Sequence, residues 1–503
     1  MDKEKLINFL KRNWWVFFVV IFAAIEVYWI WQVEYLGFQD HPSHLFRLHV
    51  VANYNNPLYD YHKYFLLNWG LTPNQGSDII VFLLSKIFSV QVAGKLFFCL
   101  YIILLPLSMW YFLKGVRPEN CAYTLLASAL SFSYFVKMGN ENFLSSIPVF
   151  LFFLGYWYRH RDNFTVYTQL TNSLLLLFLY YCHMLSFVCA LVTIIAVSLV
   201  ERKKLRTILR TILVSLPGLF LFFAWVIRIM LQGATKESGL LYITPYSSWL
   251  HKARSLTYGI FPFSFATLSV SNILISLFLI LVFYMIIVGI VYRWRQGKRI
   301  WLWAIITLTF FAIVLPRDFI ILMPGQRIIY LVLLIAPVIF LNKGILRFCF
   351  LSFLIVFTAM ARIDETEYLI TGDKIISYIV APFKEVPQVA INHQEKVLPL
   401  VLYPYKVHPF GHRVFEYYNL FNGGVNPYHA MSHLFTVRYR INLPASHIYE
   451  SKINSEIFKA YDIIIVIGRD TYKGKGKGLL DYLSSIGFRE ISGNAITAVL
   501  KKL

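Results

Sequence analysis

Gly37–His49 reads GFQDHPSHLFRLH and packs one carboxylate, three imidazoles and a guanidinium into a short polar stretch directly after the first long apolar run. Pro42 suits the first turn of a helix, where its missing N–H costs nothing, so Asp40 or His41 falls at or beside the cap, at the positive helix end. From there His41, His44 and Arg47 recur at spacings of three along one side, while Leu45, Leu48 and Ala52 mark an apolar side. A carboxylate beside such donors suits a hydroxyl and a phosphate together. Asp40 is then a general base, or a carboxylate that steers an incoming hydroxyl, and His41, His44 and Arg47 donate to a phosphate leaving group. A helix N-terminus and a nearby arginine are expected to depress the Asp40 pKa. A plain helix cap is the competing role for Asp40, and snorkelling towards headgroups the competing role for Arg47. The spacing of Asp40 and His44 also leaves open a divalent cation, although no second carboxylate adjoins them and Asp60, His62 and Asp78 would have to fold back.

Outward from this stretch, composition sets the class. The 503 residues are 58% hydrophobic, 18% aromatic and only 15% charged, which excludes an ordinary soluble enzyme and gives enough long apolar runs for many membrane spans. The formal charge of +21 lies mostly in short basic clusters between those runs, so it reports topology and not a nucleic-acid partner. Cys99, Cys121, Cys182, Cys189 and Cys349 all lie in or beside apolar spans, which argues against a disulfide framework or a zinc ribbon. The N-terminal MDKEKLINFLKRN followed by Trp14–Val33 has a signal-like charge but is too long and lacks a small-residue cleavage site, so it reads as an uncleaved anchor.

The expected spans are 14–33, 92–113, 120–137, 142–158, 164–181, 183–200, 211–231, 270–292, 300–316, 327–342 and 345–362, about eleven transmembrane helices in an α-helical polytopic membrane protein. With a cytoplasmic N-terminus, every basic cluster falls on the inner side: Lys114 and Arg117, Arg159 and Arg161, Arg202 to Arg206, Arg293 to Arg299, Lys343 and Arg347. The 34–91 loop, the 232–269 loop and everything after residue 362 are then outside, as expected for a bacterial-type inner-membrane protein. The division is a transmembrane domain over 1–362, with interfacial helices in 34–91, and an extracytoplasmic α/β domain over 363–503. In the latter, LPLVLY and YDIIIVIG read as strands, GLLDYLSSIGF as a helix and ITAVLKKL as a closing edge strand.

Other candidate residues are scattered. Asp78 precedes an apolar helix, as a phosphate-site residue or an N-cap. Glu26, His183 and Arg228 are costly in or near spans; His183, in YYCHML, is placed near the outer surface and joins the candidate site, or is a hydrogen-bonded bundle histidine. In LPRDFIILMPGQR, one of Arg317 and Arg327 is expected to clamp a phosphate while the other pairs Asp318, with a surface ion pair as the competing explanation. The KGKGKG run near 473–478 lacks Walker spacing and reads as a solvated turn. His408, His412, His429, His433 and His447 are irregularly spaced and read as structural.

These features together resemble the GT-C superfamily of membrane glycosyltransferases. The resemblance rests on an acidic residue early in the first outer loop, here Asp40 in QDHPSHLFR, on interfacial helices, on a bundle of this many spans and on a C-terminal extracytoplasmic domain. More narrowly, Asp40, Pro42, His44, Leu45 and Arg47 are similar to an Asp-x-Pro-x-His-Leu-x-Arg motif of a bacterial subgroup, with weaker echoes at Pro73, Asn74 and Asp78, at Asn142 and Phe143, at Cys182 and His183, and at Gly423 and Gly424. The chain departs from better-known members in having His41 where a second acid would follow Asp40. The resemblance implies inverting transfer of a sugar from a polyprenyl-phosphate-linked donor to a glycan, lipid or protein acceptor outside the cytoplasm. The rivals are a polymerase or ligase of surface polysaccharide, a transporter or flippase of lipid-linked saccharide drawing on Glu26, and a scaffold of envelope assembly.

Overall fold

A computed structural model describes residues 3–162, 165–201, 205–231, 243–258, 270–297, 299–319, 321–402, 413–427, 436–441, 443–444, 455–470 and 475–503. The five C-terminal histidines named above, much of the 232–269 loop and the start of KGKGKG lie outside the described residues. The chain opens with α1 (Lys3–Gln32), α2 (His41–Ala52), α3 (Tyr61–Tyr64), β1 (Phe65–Leu67), α4 (Gly76–Leu84) and α5 (Val90–Val116). It continues through α6 (Leu125–Leu130), α7 (Tyr134–Lys137), α8 (Glu141–His160), α9 (Val166–Cys182), α10 (Met184–Val200) and α11 (Leu205–Leu231). After β2 (Ile243–Thr244) come α12 (Trp249–Tyr258), α13 (Val270–Arg295), α14 (Ile300–Val314), β3 (Asp318–Phe319), β4 (Ile321–Leu322), α15 (Pro324–Ile335) and α16 (Ile345–Lys384).

Among the described residues, α1 from Asn13, α5, α11 from Ile208 to Arg228, α13 from Ile273 and α16 are long and apolar enough to cross a membrane, and α10, α14 and the 324–338 segment are shorter apolar helices. The chain is an integral membrane protein. Two span assignments need correction. The 120–137 stretch is not one helix: a 3-10 segment (Pro118–Thr124) runs into α6, and the backbone breaks between Leu130 and Tyr134. Irregular backbone at membrane depth survives only where protein satisfies it. Here Ser131 Oγ donates to Glu26 Oε1 at 2.6 Å, Arg362 Nη2 donates to Ser128 O at 2.5 Å, and Arg362 pairs with both Glu26 and Glu365. The span expected to end at 362 also continues unbroken to Lys384, because Arg362 and Glu365 are matched inside the bundle and do not terminate the helix.

The C-terminal part carries β5 (Val397–Val401), α17 (Glu416–Asn422), β6 (Val437–Tyr439), α18 (Ser455–Phe458), β7 (Ile463–Ile467), α19 (Lys475–Ser485), β8 (Phe488–Gly493) and β9 (Thr497–Lys502). Its four-stranded sheet has the order β5-β7-β9-β8, with β5 and β7 parallel and the other neighbours antiparallel. β9 therefore lies inside the sheet and β8 at its edge, which corrects the edge-strand expectation. The apolar TAVL of β9 is buried along with the Ile-rich β7 it pairs with.

This C-terminal part is bound to the first loop. β1 and β6 pair antiparallel, with Phe65 opposite Tyr439. Leu45 of α2 packs in one apolar cluster with Ile376, Val380, Phe415 and Tyr418, and Phe46 and Val50 pack with Val425 and Val437. Each such fully buried side chain contributes roughly 1.5–3 kcal/mol, so α2 is held between membrane bundle and C-terminal part.

Candidate active site

Asp40 occupies the N-cap position of α2, yet its side chain makes no capping hydrogen bond. The plain-cap role is therefore not what holds it. The start of α2 is fixed through backbone: Gln39 N donates to Lys137 O at 2.9 Å and Asp40 N to Met138 O at 3.1 Å. Gly139 makes this approach feasible, since at φ +68 it sits in the left-handed region and a Cβ there would lie 2.8 Å from His41 N.

Beyond the cap, α2 is buried on its polar side as well as its apolar one. His41 Nδ1 lies 2.7 Å from Glu141 Oε1, its ring enclosed by Phe38, Phe98 and Gly94. Arg47 grips Asp78 with Nε to Oδ2 at 3.0 Å and Nη2 to Oδ1 at 2.7 Å, and Thr436 Oγ1 donates to Asp78 Oδ2 at 2.6 Å. His44 Nδ1 stands 2.6 Å from Arg47 Nη2, 3.7 Å from Asp78 and 3.8 Å from Glu141. Burial by itself would push the Asp78 carboxyl up, but the Arg47 guanidinium and His44 outweigh it and hold the group at about 2. Farther along, burial pushes His49 down to about 4, so it packs as a neutral ring against Tyr59 and Tyr61.

Asp40 faces differently. It is half-buried, and its carboxylate makes no hydrogen bond or ion pair among the described residues. Burial raises its pKa, and Glu416 adds to that, against the opposing pull of Arg413, His44 and Arg47. The expected depression of this pKa is thus reversed, because removal from water outweighs the neighbouring cations.

Across from Asp40 lie Tyr134 and Arg327, each within Coulombic reach of it, with Arg317 also acting on Tyr134. Arg327 is held by His183 Nε2 at 2.8 Å from Nη1 and donates from Nη2 to Asn140 Oδ1 at 3.1 Å, while its Nε has no hydrogen-bond partner among the described residues. Phe143 lies under its guanidinium at 5.3 Å and edge-on to His183 at 5.2 Å. Arg317 is partly exposed, with Nε 3.7 Å from Asp318 Oδ2.

The fold gathers the weaker sequence echoes here too. Asn142 Oδ1 accepts from Ser77 N and Oγ at the start of α4, Asn74 Oδ1 accepts from Met184 N, and Gly76 lies so close to Cys182 that a Cβ would stand 2.6 Å from its Cα. Arg327 thus contacts His183 and acts electrostatically on Asp40, Arg317 acts on the same Tyr134, and His41, His44, Arg47 and Asp78 form a buried lattice along α2. Sequence reading missed Tyr134, Asn140, Glu141, Arg413, Glu416 and Thr436. Glu141 carried a signal, being the sole acid between Glu119 and Asp162 in an apolar stretch. Arg228 donates to Asn68 Oδ1 at 3.0 Å.

As ligands for a divalent cation, Asp40 and His44 fit poorly. The His44 nitrogen that faces the acids also faces the Arg47 guanidinium, and among the described residues no three His, Cys, Asp or Glu side chains are arranged to hold a metal ion.

The helical bundle and the strand-containing C-terminal part together make an ArnT-like fold. Its likeness in solved structures is to ArnT from Cupriavidus metallidurans in the apo state, a GT-C glycosyltransferase, with a TM-score of 0.59 and 9% sequence identity over 98% of each chain. No sequence family profile matches the chain, and neither does any curated protein sequence.

Proposed function

We propose that the chain is a glycosyltransferase that moves a sugar from a polyprenyl-phosphate-linked donor to an acceptor hydroxyl on the extracytoplasmic face of the membrane. The observation that carries this reading is the Asp40 carboxylate, unpaired among the described residues, with its pKa raised by burial and within Coulombic reach of the Arg327 guanidinium. A carboxylate so raised is a better proton acceptor than a solvated one. In the reaction, Asp40 takes the proton of the acceptor hydroxyl as its oxygen forms a bond to the anomeric carbon. The bond from that carbon to the lipid phosphate breaks, and the leaving phosphate keeps the electron pair, with inversion at carbon.

Arg327 and Arg317 stabilise the charge growing on the leaving phosphate. His183 and Asn140 fix the Arg327 guanidinium in place, so its charge acts without reorganisation. His41, His44, Arg47 and Asp78 serve as the frame that sets Asp40, with Glu141 and Thr436 closing it. The positive-inside arrangement of the basic clusters supports a site outside the cytoplasm. A transport reading draws on Glu26, but that residue is ion-paired to Arg362 and hydrogen-bonded to Ser131.

The test is transfer by purified protein in vesicles carrying a polyprenyl-phosphate sugar, followed by release of lipid phosphate. Wild-type protein should release it and Asp40→Asn should not, while both remain folded by thermal melting. Equal turnover in the folded Asp40→Asn protein overturns the assignment of Asp40 as base.

A further inference from the structure

The opposite end of the bundle holds a cavity of about 1120 Å³ that the proposed reaction does not use. Gly94, which touches His41, and Lys114, which lines this cavity, lie on the same helix α5. Their separation of twenty residues at 1.5 Å each is about 30 Å, the thickness of the hydrocarbon layer. The cavity therefore opens at the other membrane surface.

Its walls combine two kinds of group. Lys114, Lys343 and Arg347 bring three cations, and Trp14, Trp15 and Trp110 bring indole rings, with the Lys114 ammonium 4.7 Å from the Trp110 ring centroid. Arg347 lies in the first turn of α16, whose N-terminal end adds a further positive pole. Arg347 donates from Nη1 to Asn342 O, and its Nε is buried without a hydrogen-bond partner among the described residues. The lining has one acid, Glu119, which is bridged to Arg117 at 2.9 Å. Three cations thus remain unmatched by any acid of the lining. On the rim, Trp14 and Phe348 are exposed, apolar and positioned where acyl chains would lie.

We propose that this cavity binds the headgroup of an anionic membrane phospholipid, its phosphate among Lys114, Lys343 and Arg347 and its chains over Trp14 and Phe348. A basic pocket between transmembrane helices at the surface that bears the basic loops is the chemistry that recognises such headgroups. An open volume above that of a typical small-ligand pocket admits a bulky headgroup. The apolar rim selects lipid over a free phosphate, which uses the cations alone. A bound lipid joins α1, α5 and the start of α16, so occupancy stabilises the bundle.

The experiment uses the full chain in detergent, melted with phosphatidylglycerol, phosphatidylcholine or inorganic phosphate, alongside native mass spectrometry of retained lipid. Phosphatidylglycerol should raise the melting temperature on the order of 2–4 °C, with phosphatidylcholine and phosphate without effect, and Lys114→Gln/Lys343→Gln should lose both the rise and the retained lipid. Both lysines are exposed, so the double variant is expected to fold; if it does not, single Lys343→Gln carries the same comparison by lipid retention. An equal rise with phosphate overturns the lipid in favour of a free anion. An equal rise with phosphatidylcholine, or an undiminished one in the variants, overturns the site.

Discussion

The two sides of Asp40 differ in how completely their charges are matched. Behind it, along α2, His41 meets Glu141, Arg47 meets Asp78 with two of its three guanidinium nitrogens, and Thr436 also donates to Asp78. In front, the Asp40 carboxylate has no hydrogen-bond partner among the described residues, and Arg327 Nε is buried without one. A saturated lattice is rigid and a half-open pair is reactive, since only the second has donors and acceptors left for a substrate. On the proposed function, chemistry falls to the front and positioning to the back.

The largest effect expected is at the front. Asp40→Asn keeps size and removes the proton acceptor, and should lower turnover by about 10²–10⁴-fold, the range for a general base, with an unchanged melting temperature. A fall in melting temperature matching the fall in rate would move Asp40 to the structural side.

Behind it, the effect is on folding. Arg47→Ala strands the fully buried Asp78 carboxylate, at about 3–5 kcal/mol, and should reduce the amount of folded protein recovered from membranes. The double change Arg47→Met/Asp78→Leu removes both charges and should recover much of that loss, because neither is left unpaired. If the double variant is no better than the single, Arg47 does more than neutralise Asp78.

Of this arrangement, the sequence made the helix legible but not the direction of its charges. Pro42 and the three-residue spacing of His41, His44 and Arg47 identified α2 and its polar side. That side was read as open to phosphate because the partners that bury it, Asp78, Glu141 and Thr436, come from 31 to 358 residues away from Arg47, His41 and Asp78 respectively. Spacing in sequence says which residues share a face and nothing of what covers it. The same limit explains α16: Arg362 and Glu365 look like a span's end until Arg362 is seen to pair with Glu365, with Glu26 on α1 and with the carbonyl of Ser128. His183 is legible as a costly group near a span and Arg327 as a phosphate clamp or ion-pair partner in a short outer loop, while their contact across 144 residues is not.

Between the two sides stands Arg327. Arg327→Gln removes the cation facing the leaving phosphate but retains a hydrogen-bonding side chain for His183 or Asn140. It should cost about 1.5–3 kcal/mol of transition-state binding, the worth of a charge-assisted hydrogen bond, seen as roughly a 10- to 100-fold fall in kcat/KM. A change confined to melting temperature would make Arg327 part of the lattice instead.

The finest test is the pH dependence, where the two sides should separate. Asp40 has a raised pKa and must be ionised to accept a proton, so activity is lost on the acid side at a pH above the ordinary aspartate range. Asp78 has a depressed pKa near 2, so its contribution to stability is present above its unfolded value of about 3.9 and is lost only as pH falls towards 2. Between these two limits the protein should be folded and reversibly inactive. Removing the positive neighbour of Asp40 with Arg413→Gln should move the activity limb to higher pH, and removing the negative one with Glu416→Gln should move it lower. Activity and folding that fail together at one pH, or limbs that ignore the sign of the removed charge, would dissolve the distinction between a reactive front and a structural back.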